Sequence, residues 1–73
     1  MKHWIYNGWG RWDMYTTREN EAPRLRGYIL GSFTDSGLSQ FKPRLILNDA
    51  EADFTKTFYS LHDAMDAIDQ EVA

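Results

Sequence analysis

Residues 25–33 of this chain read Leu-Arg-Gly-Tyr-Ile-Leu-Gly-Ser-Phe, and this alternating stretch decides the fold. It predicts a β-strand, because successive side chains of a strand point to opposite faces of a sheet. Gly27, Ile29 and Gly31 share one face, so two positions beside Ile29 have no side chain. Large rings on a neighbouring strand can cover such gaps, and we expect Trp12 to cover one of them.

Other runs of strand length lie on both sides of this stretch, at residues 3–6, 11–17, 44–47 and 54–59. The polar segments between them predict loops at residues 18–24, 34–43 and 48–53. Asn7-Gly8 predicts a tight turn between the first two strands. We therefore expect a small antiparallel sheet of about four strands in meander order.

The C-terminal segment predicts a helix over about residues 61–72. Ser60 is a good N-cap residue, and one apolar stripe follows it at helical spacing, formed by Leu61, Ala64, Met65, Ile68 and Val72. Asp69 and Glu71 lie in the last turns with no cation near them in the sequence, so we expect the negative end of the helix dipole to lack relief. The predicted fold is α+β, one domain over residues 1–73, with the helix packed on one face of the sheet.

Composition argues against several classes of function. The 73 residues include 42% apolar and 15% aromatic residues, which is a globular composition, and no cysteine. No run approaches the length of a signal peptide core or a membrane span, so we expect the cytoplasm. His3 and His62 are the two histidines, and no nucleophile motif or phosphate-binding glycine loop accompanies them. We predict neither an enzyme nor a cofactor.

A metal site is also not predicted. Asp49, Glu51 and Asp53 alternate like the start of a calcium-binding loop. That loop needs glycine at its sixth position and glutamate at its twelfth, where this chain has Phe54 and Ser60. A solvated acidic turn is the better interpretation.

Charge is divided along the chain. Residues 1–47 contain seven of the eight basic side chains and four acidic ones, whereas residues 48–73 contain seven acidic side chains and Lys56. Such a division favours recognition of an oppositely charged partner. The predicted acidic surface consists of Asp49, Glu51, Asp53, Asp63, Asp66 and Asp69. Buried aromatic anchors supply most of the affinity in protein interfaces, and Trp9 in the predicted turn is our candidate anchor.

Three hypotheses of function follow. The first is a non-catalytic protein-binding module, a small acidic inhibitor or regulator of the kind phages and mobile elements encode, which covers a surface such as a nucleic-acid-binding cleft of a host protein. The second is a nucleic-acid-binding module that uses a basic and aromatic sheet surface, formed by Arg11, Arg26, Tyr28 and Arg44. The third is a structural subunit that forms a homodimer through exposed aromatic residues.

Overall fold

The computed structural model describes residues 1–47, 50–53 and 56–72 of the chain. Within these residues, five strands form an antiparallel sheet in meander order and precede one helix. The elements are β1 (Lys2–Tyr6), β2 (Arg11–Thr16), β3 (Arg24–Phe33), β4 (Ser39–Leu47), β5 (Ala50–Asp53) and α1 (Leu61–Glu71). The predicted α+β class is confirmed, and so is the helix. In these residues, no helix has the length and apolar character needed to cross a membrane.

The helix packs on β3 and β4 at one of the two glycine positions of β3. A Cβ atom on Gly27 would lie 3.2 Å from Ile68 Cγ2 and 2.8 Å from the carbonyl oxygen of Arg44. The absence of a side chain therefore lets the helix approach the sheet closely. The buried cluster at this contact consists of Met14, Ile29, Leu45, Ala64, Ile68 and Val72.

Both ends of the helix have polar partners. The Ser60 side chain accepts a hydrogen bond from the Asp63 amide at 3.4 Å, which confirms the predicted cap. At the other end, the Lys2 ammonium group donates to the carbonyl oxygen of Asp69 at 2.9 Å. The expectation of an unrelieved dipole was wrong, because the cation comes from β1, 67 residues away in the sequence.

Two predicted loops contain strands. β4 begins at Ser39, inside the expected loop at residues 34–43, and β5 occupies part of the expected break at residues 48–53. Alanine and acidic residues have low strand propensity, so β5 forms because β4 offers it an edge to pair with. The sheet therefore has one strand more than the approximate number predicted.

Proline is tolerated inside β4 because of its position. Both backbone groups of Phe41 bond to Phe58, at 2.7 and 2.9 Å, so the odd-numbered residues of β4 direct these groups away from β3. Pro43 lies between this bridge and the stretch paired with β5, which begins at Arg44. Its missing N–H therefore removes no bond from the β3 ladder. The strand predicted at residues 54–59 is not found in its described part, residues 56–59, where Phe58 forms this isolated bridge.

Candidate protein-binding surface

An aromatic groove lies on the helix side of the sheet, beyond the region that α1 covers. Four rings line it, those of Tyr6, Trp12, Phe33 and Phe41, and its volume is about 340 Å³. The Trp12 ring centroid lies 4.9 Å from that of Tyr6 and 5.8 Å from that of Phe41, the latter edge to face. Tyr6 and Phe33 remain 58% and 74% exposed. No charged residue among the described ones lines this groove.

Two glycines form the floor of the aromatic groove. A Cβ atom on Gly31 would lie 2.8 Å from Trp12 Cζ3, so the ring covers the gap as predicted. The Gly31 amide donates to the Gly10 carbonyl oxygen at 2.6 Å, and a Cβ atom on Gly10 would lie 2.8 Å from the Gly31 oxygen. Both glycines therefore allow the backbone to approach closely beneath the rings.

Trp9 projects from the turn between β1 and β2, next to this groove. The predicted tight turn is present: the Asn7 amide donates to the Arg11 carbonyl oxygen, and the Arg11 amide donates to that of Gly8. Its central residues are Trp9 and Gly10, both with positive φ, rather than the Asn7-Gly8 pair on which the prediction rested. Trp9 has a φ of 55° and its side chain is fully exposed. The left-handed conformation costs a residue with a side chain roughly 1–2 kcal/mol. One of the three tryptophans of the molecule is thus exposed to solvent from a strained backbone position.

A second depression, the acidic cleft, adjoins the groove along the helix. Its lining consists of Lys56, Phe58, Asp63, Asp66, Ala67 and Gln70, and its volume is about 430 Å³. Asp63 and Asp66 are exposed, and Asp66 lies 3.4 Å from the ring of His62. The backbone bridge between Phe41 and Phe58 joins the two depressions, because each residue lines one of them.

Glu51 and Asp69, the other predicted acidic residues whose side chains the structure describes, do not join Asp63 and Asp66 in this cleft. Glu51 lies on the face of the sheet opposite the helix, where it accepts hydrogen bonds from Tyr28 at 3.0 Å and Arg44 at 3.3 Å. Asp69 lies nearly one helical turn after Asp66, is half-buried and does not line the cleft. Asp53 belongs to β5, and Asp49 lies outside the described residues. Of the four predicted acidic residues whose side chains are described, the structure therefore brings two together.

The helix-free face of the sheet contains a network centred on a buried carboxylate. Asp13 is 3% exposed and accepts hydrogen bonds from Asn7 and from Arg11 Nε, the latter at 2.6 Å. This bond raises the pKa of the Arg11 guanidinium above its ordinary value. The guanidinium also lies 4.1 Å from the centroid of the Tyr28 ring. Arg11 is thus held by a carboxylate and an aromatic ring of its own chain.

The residues of the predicted nucleic-acid surface make similar contacts within the chain itself. Tyr28 is 5% exposed beneath Arg11, which covers the face that a base would stack on. Arg44 pairs with Glu51 at 3.3 Å, and Arg26 donates to Thr16 at 3.0 Å. The structure brings all four predicted residues to one face, but their polar groups already have partners within the protein.

In comparisons with known proteins, the chain matches no family model, no curated protein and no solved structure. Within the described residues, no three histidine, cysteine or acidic side chains cluster as metal ligands would. The site must therefore be interpreted from its own residues.

The sequence suggested Trp9 as a candidate anchor but did not indicate the groove beside it. Tyr6, Phe33 and Phe41 line this groove and were absent from the predicted site. The gap at Gly31 was the available signal, because a ring that covers a missing side chain lies low on the sheet and leaves space above it. Phe41 also fell in a segment that we expected to be a loop.

Proposed function

We propose that this chain is a non-catalytic protein-binding module that covers a basic surface of another protein. The aromatic groove and Trp9 supply the contact area, and the acidic cleft attracts the partner. The basic surface we favour is a nucleic-acid-binding cleft, in which carboxylates take the places of phosphates. Its regulatory effect would then be inhibition by occlusion.

The observation that supports this proposal best is the exposure of Trp9. A fully exposed tryptophan in the left-handed region has no role in the core and a backbone cost, at φ 55°. Such strain is often associated with function, and tryptophan is enriched among the residues that dominate binding energy. The groove that Gly10, the next residue, helps to line carries two more exposed rings, Tyr6 and Phe33.

The acidic cleft supports a positively charged surface on the partner. Helix α1 contains four acidic residues and no lysine or arginine. Charges at the rim of an interface raise the association rate and select the partner, while buried rings determine how long the complex lasts. Asp63 and Asp66, exposed beside the apolar groove, are suited to the first of these roles.

The biological class that we propose for the module is based on composition. Small, acidic, cysteine-free and aromatic-rich chains without a catalytic motif are typical of the inhibitors that phages and mobile elements encode. We include that class and a cytoplasmic location in the proposal on composition alone.

A two-stage experiment tests the proposal. Affinity capture from the native host, followed by mass spectrometry, identifies candidate partners, and each is then purified and titrated against the chain. We expect Trp9→Asn to weaken the true complex at least about tenfold, as loss of a central anchor does. Leu47→Ala is the matched control, because Leu47 is 49% exposed at the other end of β4. Equal affinities of the two variants would contradict the proposed anchor.

The nucleic-acid hypothesis makes the opposite prediction. We expect no binding to single- or double-stranded DNA or RNA at physiological salt, since Arg11, Arg44 and Tyr28 bind one another and nearby carboxylates. A fluorescence polarisation titration measures this directly. A micromolar complex whose affinity falls steeply with salt, and less steeply after Arg44→Ala, would favour the nucleic-acid module instead.

A further inference from the structure

The aromatic groove has a chemical character that restricts what it can bind. Four rings form its walls and glycine backbone forms its floor, and Ser32 and Ser39 are its other lining residues, so its contacts are mainly apolar. The strands beneath it are already paired, with Trp12 opposite Ile29 and Gly31 opposite Phe41. A peptide lying in the groove therefore cannot gain backbone hydrogen bonds by adding to the sheet. Apart from the hydroxyls of Ser32 and Ser39, an ordinary extended peptide would find few acceptors for its N–H groups there.

Proline removes this difficulty. It has no N–H group, and a proline-rich segment is already extended before binding, so less conformational entropy is lost. Aromatic-lined grooves bind such segments in several recognition modules. The groove can also donate a hydrogen bond to a peptide carbonyl oxygen. The Tyr6 hydroxyl oxygen accepts a hydrogen bond from the Gly10 amide at 3.3 Å, so its own O–H group is available as a donor.

The charge of the segment follows from the neighbouring cleft. The Phe41–Phe58 bridge leads from the groove to Asp63 and Asp66, both exposed. The chain itself places one cation at this aromatic edge, since Lys56 lines the cleft and its Nζ lies 5.1 Å from the centroid of the Phe58 ring. The two carboxylates outnumber this one cation, so the cleft still favours a positively charged group. A lysine or arginine that follows the prolines would reach the two carboxylates.

We propose that the aromatic groove binds a proline-containing, extended segment of the partner, with a lysine or arginine at the end that lies toward the helix. This inference rests on the proposed function and names the part of the partner that the groove recognises. A second copy of the chain is the competing occupant, through Trp9.

The test uses the full chain and three synthetic peptides. The first is Pro-Pro-Leu-Pro-Pro-Arg-Arg, the second has alanine in place of every proline, and the third has glutamate in place of both arginines. Amide and indole chemical shifts are followed during titration. We expect sub-millimolar binding of the first peptide, with shifts at the groove, and at least about fivefold weaker binding of the other two.

Variants locate the contact. Phe33→Ala should weaken the first peptide about fivefold or more, because a truncated ring loses its packing, whereas Leu47→Ala should not. Phe33 is 74% exposed, so its removal leaves the fold intact, which circular dichroism verifies. Asp63→Lys combined with Asp66→Lys should weaken the arginine peptide and not the glutamate peptide.

Each other result has a distinct meaning. No binding of the first peptide, or equal binding of the alanine peptide, overturns the proline segment. A concentration-dependent mass in sedimentation equilibrium that Trp9→Asn abolishes also overturns it and assigns the groove to a second copy. If a purified partner still requires Trp9 while no proline peptide binds, the proposed function stands and only its occupant is wrong.

Discussion

Gly27 and Gly31 lie on the same face of β3, yet different elements cover them. Ile68 of the helix lies over Gly27, and the Trp12 ring lies over Gly31. The helix half of this face is therefore closed by a separate layer, with Ile29 and Ile68 fully buried. The other half is covered by a side chain of the sheet itself, which leaves the aromatic groove above it.

The lengths of the elements explain the difference. The helix has 11 residues and is about 16 Å long, whereas the 10 residues of β3 extend about 33 Å. A helix of this length covers about half of the strand. One face of the sheet thus supplies the core at one end and carries an open groove at the other.

The largest expected effect is on the helix half. Ile68→Ala should lower the free energy of unfolding by about 2–5 kcal/mol, because the side chain is fully buried and its loss leaves a cavity over Gly27. Phe33→Ala on the groove half should cost less than about 0.5 kcal/mol, since this ring is largely exposed. Urea unfolding measures both, and Ile68→Val provides a smaller step if the alanine variant does not fold. Similar costs at Ile68 and Phe33 would contradict the division.

The glycines themselves provide the next test. Gly27→Ala should cost about 1–3 kcal/mol, because the new Cβ meets the Arg44 carbonyl oxygen at 2.8 Å and this backbone cannot move freely. Gly31→Ala meets the outer end of the Trp12 ring, which can shift toward the open groove, so its cost should stay within about 1 kcal/mol. Urea unfolding ranks the two, and the Trp12 indole resonance should move in the second variant. A larger cost at Gly31 would show that the groove half is packed as rigidly as the core.

The helix half could be predicted from the sequence, because local pattern determines it. The stripe that includes Ala64 and Ile68 has helical period, and Ser60 caps it. In the groove half, the ring of Trp12 over the gap at Gly31 could also be predicted. These signals depend on residues close in sequence or on neighbouring strands.

The groove and the charged networks could not be predicted, because they depend on distant residues. The alternation of side chains along a strand assigns Phe33 to one face of the sheet, but it does not show how far the helix extends over that face. Lys2 reaches Asp69, and Tyr28 reaches Glu51, only after the strands have taken their order. The expected acidic surface was divided for the same reason, since Glu51 faces away from the helix.

The turn beside the groove should show little effect on stability and a large one on binding. Trp9→Asn should raise the free energy of unfolding by up to about 1 kcal/mol, because asparagine tolerates the left-handed conformation better than tryptophan does. Trp9→Ala is the control: it removes the ring but keeps the strain, so the asparagine variant should be the more stable of the two. If urea unfolding shows both variants to be less stable than the parent chain, the ring contributes to the fold and the anchor hypothesis loses its main support.

The smallest expected effect on the fold comes from the acidic cleft. Reversing both Asp63 and Asp66 to lysine removes the exposed pair with His62, 3.4 Å apart, and a favourable charge in the first helical turn. Exposed pairs of this kind contribute little, so the free energy of unfolding should fall by less than about 1 kcal/mol. The two halves of the β3 face should both remain intact.

Association with the partner should respond much more strongly than stability. Opposite charges accelerate encounter at low salt, so we expect the double reversal to slow association there, with the difference vanishing near 1 M salt, where the Debye length is about 3 Å. Glu19→Lys combined with Glu21→Lys is the matched control, because it makes the same change in net charge on the exposed loop between β2 and β3. Stopped-flow association rates compare the two variants. If both slow association equally, the partner senses only net charge; if neither does, the acidic cleft merely solubilises the helix, and affinity resides in the aromatic groove alone.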